Sequence, residues 1–157
     1  GEKYKVKAQK EGFISKEFEL NTKGLPDGDL LNDFVLEEVF NKKVVVQFDF
    51  DKWKIKPEFE AQLDEVIRAM NRNRRLHLHI GAYADSRGTH AYNQRLSNHR
   101  ADEVVAYMVA HGIEKTRITA IGFGEELILN QCSNGVICTE TEHSKNRRAE
   151  LKVQTVN

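Results

Sequence analysis

Apolar and polar residues alternate at period two over Val44, Val46, Phe48 and Phe50, with Val45, Gln47 and Asp49 between them, which predicts a strand with one covered face. Pro57 then stands where a helix begins, a place that tolerates a residue without an N–H. Phe59, Leu63, Val66, Ile67 and Met70 follow at helical spacing and make one apolar stripe. Leu76, Leu78 and Ile80 alternate with His77 and His79 as a second strand. Thr89 suits the cap of a long helix carrying Leu96, Val104, Val105 and Met108, and Gly112, just after His111, suits its stop. Ile118, Ala120 and Ile121 make a third strand. After a polar loop, Ala149, Leu151 and Val153 alternate with Glu150, Lys152 and Gln154 as a fourth.

The resulting order is β-α-β-α-β-β. Three of these strands have a plainly polar parity, so the expected class is α/β in local order and α+β in architecture: two helices on one face of a mixed four-stranded sheet, the other face open. A doubly wound sheet would need strands apolar on both faces. The first forty residues have another texture. Tyr4, Val6 and Ala8 alternate with Lys5, Lys7 and Gln9, Glu11-Gly12 reads as a turn, and Ile14, Lys16, Phe18 and Leu20 share the next parity. Two strands cannot hold themselves together in water. Residues 1–23 therefore read as a hairpin, the tail of a larger β-domain, and the chain as a piece of a longer protein. Gly24-Leu25-Pro26-Asp27-Gly28-Asp29 is turn chemistry. It makes 24–41 a linker and leaves 42–157 as the second domain.

Composition removes several functions. The 157 residues hold 24 Lys and Arg against 24 Asp and Glu, so the net charge is zero and the electrostatic footprint of a nucleic-acid binder is missing. No apolar run approaches the length of a membrane helix, so no transmembrane segment is expected. Without a signal-peptide pattern, the segment does not report its own compartment. Cys132 and Cys138 stand close together in a polar stretch and, from the residues alone, fit reduced thiols, metal ligands or a small disulfide loop.

The densest group of chemistry-bearing residues runs from Gly81 to Gly88 (Gly-Ala-Tyr-Ala-Asp-Ser-Arg-Gly) and continues with Asn93, Leu96-Ser97 and Arg100-Ala101. Asp85 falls just past the second strand, in the loop feeding the long helix. Asn93 and Arg100 are two helical turns apart, nearly on one stripe, with Leu96 between them. A carboxylate in the loop and a guanidinium on that stripe can converge on a pocket and hold a zwitterion, Asp85 taking an ammonium and Arg100 a carboxylate. The plainer alternative is that Asp85 and Arg100 pair with each other.

Five segments occur in order: Phe48-Asp49-Phe50-Asp51, Gly81 through Gly88, Tyr92-Asn93-Gln94-x-Leu96-Ser97-x-x-Arg100-Ala101, Gly122-Phe123-Gly124-Glu125, and Asn146-Arg147-Arg148. Together, over residues 42–157, they resemble the OmpA-like peptidoglycan-binding domain of outer-membrane porin tails, peptidoglycan-associated lipoproteins and flagellar stator proteins. The resemblance implies the same two-helix, four-stranded fold and non-covalent binding of the peptidoglycan stem peptide through its diaminopimelic acid. It places the family's binding aspartate on Asp85, its arginine on Arg100 and its helix asparagine on Asn93. The Phe48–Asp51 turn, with Phe50 and Asp51, forms the other wall, and Ala84 and Leu96 complete the expected lining. Of the paired arginines, Arg147 shares its parity with Ala149, Leu151 and Val153 and is expected nearer the pocket than Arg148. Diaminopimelate is favoured over lysine because only it brings a carboxylate to Arg100, and a desolvated polar group left unpaired costs about 1–3 kcal/mol.

The same resemblance implies a cell-wall anchor in the periplasm, attached to the outer membrane through other parts of the parent protein. Its partners would be peptidoglycan and other outer-membrane or periplasmic proteins, with neither cofactor nor metal. Because such domains work outside the reducing cytosol, Cys132 and Cys138 are expected to form a disulfide. The hairpin resembles the end of a carboxypeptidase-regulatory-like β-domain, and the domain order resembles a type IX secretion system envelope lipoprotein. Family members often read Gly-His-Thr-Asp where this chain reads Gly-Ala-Tyr-Ala-Asp. Asp85 and Arg100 are both kept, so Tyr83 and Ala84 bear on fine specificity rather than on binding; they are also the residues that would support the alternative, a structural or oligomerisation module that no longer binds peptidoglycan. A hydrolase is not expected: there is no GxSxG or HExxH, and Asp49, which might join Asp51 and Asp85 in a carboxylate cluster, lies on the wrong strand parity. His77 and His79 are read as solvated on the open face rather than as metal ligands, and Trp53 as packing at a loop–helix junction or covering the ligand.

Overall fold

The computed structural model describes residues 2–10, 13, 15–23, 40 and 43–155, and the chain divides into two units, residues 1–41 and 42–157. In the first, β1 (Lys3–Ala8) pairs antiparallel with β2 (Lys16–Asn21), setting Val6 opposite Phe18 and Tyr4 opposite Leu20. Even these apolar pairs are at most half-buried. The expected Glu11-Gly12 turn, Ile14 and nearly all of the expected linker lie outside the described residues.

In the second unit, β3 (Val44–Gln47), β4 (Leu76–Tyr83), β5 (Ile118–Gly122) and β6 (Arg148–Thr155) form one sheet in the order β3-β6-β4-β5. β6 is antiparallel to both neighbours, whereas β4 and β5 are parallel. A parallel pair needs a long crossover, and α2 (His90–Ala110) supplies it. The covered face carries Val44, Val46, Leu76, Leu78, Ile80, Ala82, Ala149 and Leu151, all buried. Against it lie Leu63, Val66, Ile67 and Met70 of α1 (Glu60–Arg72) and Leu96, Ala101, Val104 and Met108 of α2. His79, Lys152 and Thr119 are exposed on the other face, and His77 is half-buried there. The sheet is mixed and four-stranded with one open face, as its alternation implies.

Local signals account for the element ends. The Thr89 hydroxyl accepts from the Tyr92 N–H at the start of α2, and Gly112 takes a φ of 87° just past its end. Pro57 opens a short 3-10 turn that leads into α1. Two expectations are corrected. β3 ends at Gln47, and Phe50, although on the parity of Val46, is 54% exposed because the chain turns back at Asp49–Lys52, with Asp51 at a φ of 58°. The polar loop before β6 contains a third helix, α3 (Glu140–Asn146). It has no apolar stripe for periodicity to find, and its start is set by a capping box, Thr139 with Glu142.

Gly122 sits where α2 presses closest to the sheet. A Cβ there would stand 2.5 Å from the Asn98 backbone nitrogen and 2.7 Å from the Ser97 carbonyl carbon. The following residues clamp the same junction: the Ser97 hydroxyl accepts from the Gly124 N–H, and the Gly124 carbonyl accepts from the Ala84 N–H. The Gly122-Phe123-Gly124-Glu125 segment therefore fixes the end of β4, where the site begins.

Candidate functional site

Beyond β4 the chain enters the Ala84–Gly88 loop, which faces the Phe48–Asp51 turn across a cavity of about 340 Å³. All eight residues expected in the site line it: Phe50 and Asp51 from the turn, Ala84 and Asp85 from the loop, Asn93, Leu96 and Arg100 from α2, and Arg147 from the start of β6. Arg87, Gly88 and Tyr92 line it as well. Sequence reasoning assigned them no role, although all three lie within the motif segments. The turn is tied to α2 by a hydrogen bond from the Tyr92 hydroxyl to Asp51. Asn93, buried, donates to Glu125.

The two central charges do not pair with each other. Asp85, 4% exposed, accepts from the Arg87 backbone N–H at 3.1 Å, from Arg87 Nε at 3.3 Å and Nη2 at 2.7 Å, and from Arg147 Nη1 at 3.0 Å. Glu140 at the start of α3 closes the cluster, 3.0 Å from Arg87 Nη1 and 2.6 Å from Arg147 Nη2. Arg147 also donates to the Phe48 carbonyl, so it spans both walls. Arg148 points the other way: it lies 3.9 Å over the Tyr83 ring and binds Glu150. Parity thus selects Arg147 for the cavity.

Arg100 is fully buried, at 0% exposure, and among the described residues no carboxylate lies within ion-pair distance of it. Its partners are three carbonyls: Lys52 at 2.9 Å, Tyr83 at 2.8 Å and Asp49 at 3.2 Å. Burial, and next the positive charge of Arg147, push its pKa down to about 10, so it stays charged at neutral pH. A guanidinium offers five N–H groups, and two remain beyond these bonds. Arg117 is similarly buried on carbonyls, but Met70 and Asn73, two of its partners, belong to the C-terminal end of α1, whose dipole answers a cation. Arg100 has no such helix end and faces a cavity instead.

Burial opposes the charge on Asp85, but hydrogen bonds from Arg87 and Arg147 together outweigh it and hold the pKa below the usual 3.8. A carboxyl depressed in the folded state stabilises the protein fully above its unfolded pKa and loses that contribution as pH falls through the folded value. Urea midpoints are expected to stay level from about pH 7 to pH 5 and to fall below about pH 4. Asp85→Asn should flatten part of that fall, leaving the share of Glu140, Glu142 and Glu150, which are also depressed. An unchanged acid slope in the variant would exclude this origin.

The departures from the usual motif are structurally quiet. Tyr83 stacks on Phe123 with ring centroids 5.3 Å apart and does not line the cavity. Ala84 lines it with a methyl. Cys132 and Cys138 form a disulfide, and the loop it closes is joined to the site because the Ser86 hydroxyl donates to the Cys132 carbonyl. Trp53 is 41% exposed with its ring 5.2 Å from that of His99, and does not line the cavity.

A mixed sheet covered on one face thus carries, at the end of β4, a cavity lined by the carboxylate of Asp85 and the guanidinium of Arg100. The OmpA family model matches residues 47–147, and the chain belongs to that family. It is 33% identical over 117 residues to outer membrane porin F of Pseudomonas fluorescens, covering 74% of this chain but only 34% of the porin. The chain thus spans about a third of that relative's length. The peptidoglycan-associated lipoprotein of Pasteurella multocida is 29% identical over 126 residues, 79% of each chain. Among solved structures, the peptidoglycan-associated lipoprotein of Burkholderia pseudomallei superposes with a TM-score of 0.64 at 27% identity, covering 70% of this chain and 89% of that one. Among the described residues no helix is long and apolar enough to cross a membrane.

Proposed function

We propose that this domain binds peptidoglycan non-covalently through the diaminopimelate of the stem peptide and so anchors an outer-membrane protein or lipoprotein assembly to the cell wall. The observation that carries this reading is Arg100, a buried cation without a contacting carboxylate, lining a cavity. A buried charge needs a partner, and the carboxylate at the end of the diaminopimelate side chain is of the right sign. The neighbouring ammonium is directed to Asp85. The acceptor positions of Asp85 are already taken, so one arginine must give way, and Arg87, 36% exposed against 5% for Arg147, is the one with room to move. The names of the lipoprotein relatives, peptidoglycan-associated, and the OmpA family membership support peptidoglycan as the polymer bound.

The reading is non-catalytic, and places the domain in the periplasm with attachment through other parts of the parent protein. For the hairpin we propose a place in a β-domain, since its apolar pairs are only half-buried. The domain order then fits an envelope lipoprotein of the type IX secretion kind. The rival reading, a structural or oligomerisation module, draws on the saturation of Asp85 and on Ala84, which has no hydroxyl to offer.

Calorimetric titration with two soluble stem tripeptides, one ending in diaminopimelate and one in lysine, separates these. The diaminopimelate peptide is expected to bind saturably. The lysine peptide, leaving Arg100 unanswered, should bind at least about fivefold more weakly. Equal affinities would remove the role given to Arg100, and no heat from either, with no retention on sacculi, would favour the structural module.

A further inference from the structure

Eight aromatic side chains lie within residues 43–155, and only Phe50, Trp53 and Tyr92 are exposed, at 54%, 41% and 39%. All three fall on the 48–53 turn and the facing edge of α2. Random scatter of surface aromatics would not gather them at one rim, and such a cluster marks a contact surface. Phe50 and Tyr92 line the mouth of the cavity. Trp53 lies beyond, against His99, which is seven residues after Tyr92 and hence about 10.5 Å further along the same side of α2.

The rim is held in place. Tyr92 is tied to Asp51, and Arg100 grips the carbonyls of Asp49 and Lys52 on either side of the turn's tip. Polar groups border it: the His99 ring makes no hydrogen bond among the described residues, and Lys54 and Glu103 pair at 3.1 Å beside Trp53 in sequence and one turn beyond His99 on α2. Arg87 lies 4.2 Å over the Phe50 ring and Arg95 6.0 Å over that of Tyr92, and exposed aromatic side chains so interleaved with charged and polar groups poorly suit a protein interface core, which is depleted in charge. They suit a pyranose ring. Its C–H face carries partial positive charge that meets the negative face of an aromatic ring, and its hydroxyls need the polar border.

We propose that Phe50, Tyr92 and Trp53 form a saccharide-binding shelf continuous with the cavity, on which an amino-sugar ring of the glycan strand stacks. The occupant follows from the peptidoglycan reading above, on which this rests. In that polymer the stem peptide hangs from an amino sugar, with diaminopimelate as its third residue. Three residues of extended peptide reach about 10 Å, so a stem whose diaminopimelate sits in the cavity brings its sugar out to the rim, where Phe50, Tyr92 and Trp53 are exposed.

Trp53 is the only tryptophan of the chain, so its fluorescence reads the shelf directly. The probes are the diaminopimelate tripeptide, the same tripeptide on its N-acetylglucosaminyl-N-acetylmuramic acid disaccharide, and N,N′-diacetylchitobiose. The disaccharide form is expected to bind about three- to tenfold tighter than the tripeptide and alone of those two to shift Trp53 emission. By calorimetry, Trp53→Ala should erase the gain and leave tripeptide affinity unchanged. If both peptides bind equally with no change in emission, the shelf is overturned and the peptidoglycan reading stands. If the tripeptide does not bind but the disaccharide form and chitobiose both shift the emission, the shelf stands and the stem-peptide reading falls. Silence from all three probes overturns both.

Discussion

An Arg100→Met protein is expected to fold and to lose its ligand. The substitution keeps a long side chain on α2, so the core around Leu96, Ala101 and Val104 retains its packing. It removes the donors to the carbonyls of Lys52, Tyr83 and Asp49 and, with them, a buried charge. These effects oppose each other. Unpaired carbonyls cost about 1–3 kcal/mol, whereas relief of guanidinium desolvation returns part of that. Binding has no such offset. Truncating one partner of a buried, hydrogen-bonded charge pair costs about 2–5 kcal/mol, which is about 30-fold to several thousand-fold in affinity for the diaminopimelate tripeptide. The check is calorimetry on protein whose circular dichroism and urea midpoint show it folded. Undiminished binding would mean that the ligand's carboxylate goes elsewhere, to Arg87 or Arg147. Arg100→Lys keeps the charge but not the fork, and should fall between the two.

The second large effect is on stability. Gly122→Ala places a methyl 2.5 Å from the Asn98 backbone nitrogen and 2.7 Å from the Ser97 carbonyl carbon, distances that no rotamer change relieves. α2 must move away from β5. The movement would loosen the Ser97–Gly124 and Ala84–Gly124 hydrogen bonds that hold the end of β4. Overpacking of this kind costs about 1–3 kcal/mol, and more where backbone is in the way. A loss of about 2 kcal/mol or more in unfolding free energy, read from urea denaturation, is expected, with weakened ligand binding because the Ala84–Asp85 loop hangs from the same junction. Gly112→Ala is a useful contrast: nothing lies within 4 Å of its Cβ position, and only its φ of 87° opposes the change. A stable Gly122→Ala protein would show that α2 can stand off from the sheet.

Much of this architecture is visible in the order of residue types. Leu76, Leu78 and Ile80 alternate with His77 and His79, and strand geometry turns that alternation into a covered and an open face whatever the rest of the chain does. Helical spacing does the same for Leu63, Val66, Ile67 and Met70. The seven-residue interval between Asn93 and Arg100 puts both into one cavity for the same reason. α3 escaped because seven polar residues have no stripe, although Thr139 and Glu142 carried its capping signal. Phe50 was misplaced because alternation does not announce where a strand turns.

Which charges meet is another matter. Asp85 stands 15 residues from Arg100 and 62 from Arg147, and it is Arg147 that holds it. Arg87, two residues away, closes on it from the same loop, and Glu140 reaches the pair only because α3 forms. Periodicities follow from backbone geometry and can be read from any segment alone. Partners of a charge are set by the approach of separate segments, and since every carboxylate attracts every guanidinium, spacing cannot choose among them. The residues of the cavity and the signs of their charges were thus written into the chain. That Arg100 should be left buried and facing the cavity without an anion was decided by the packing of α2 against the Phe48–Asp51 turn and the end of β4.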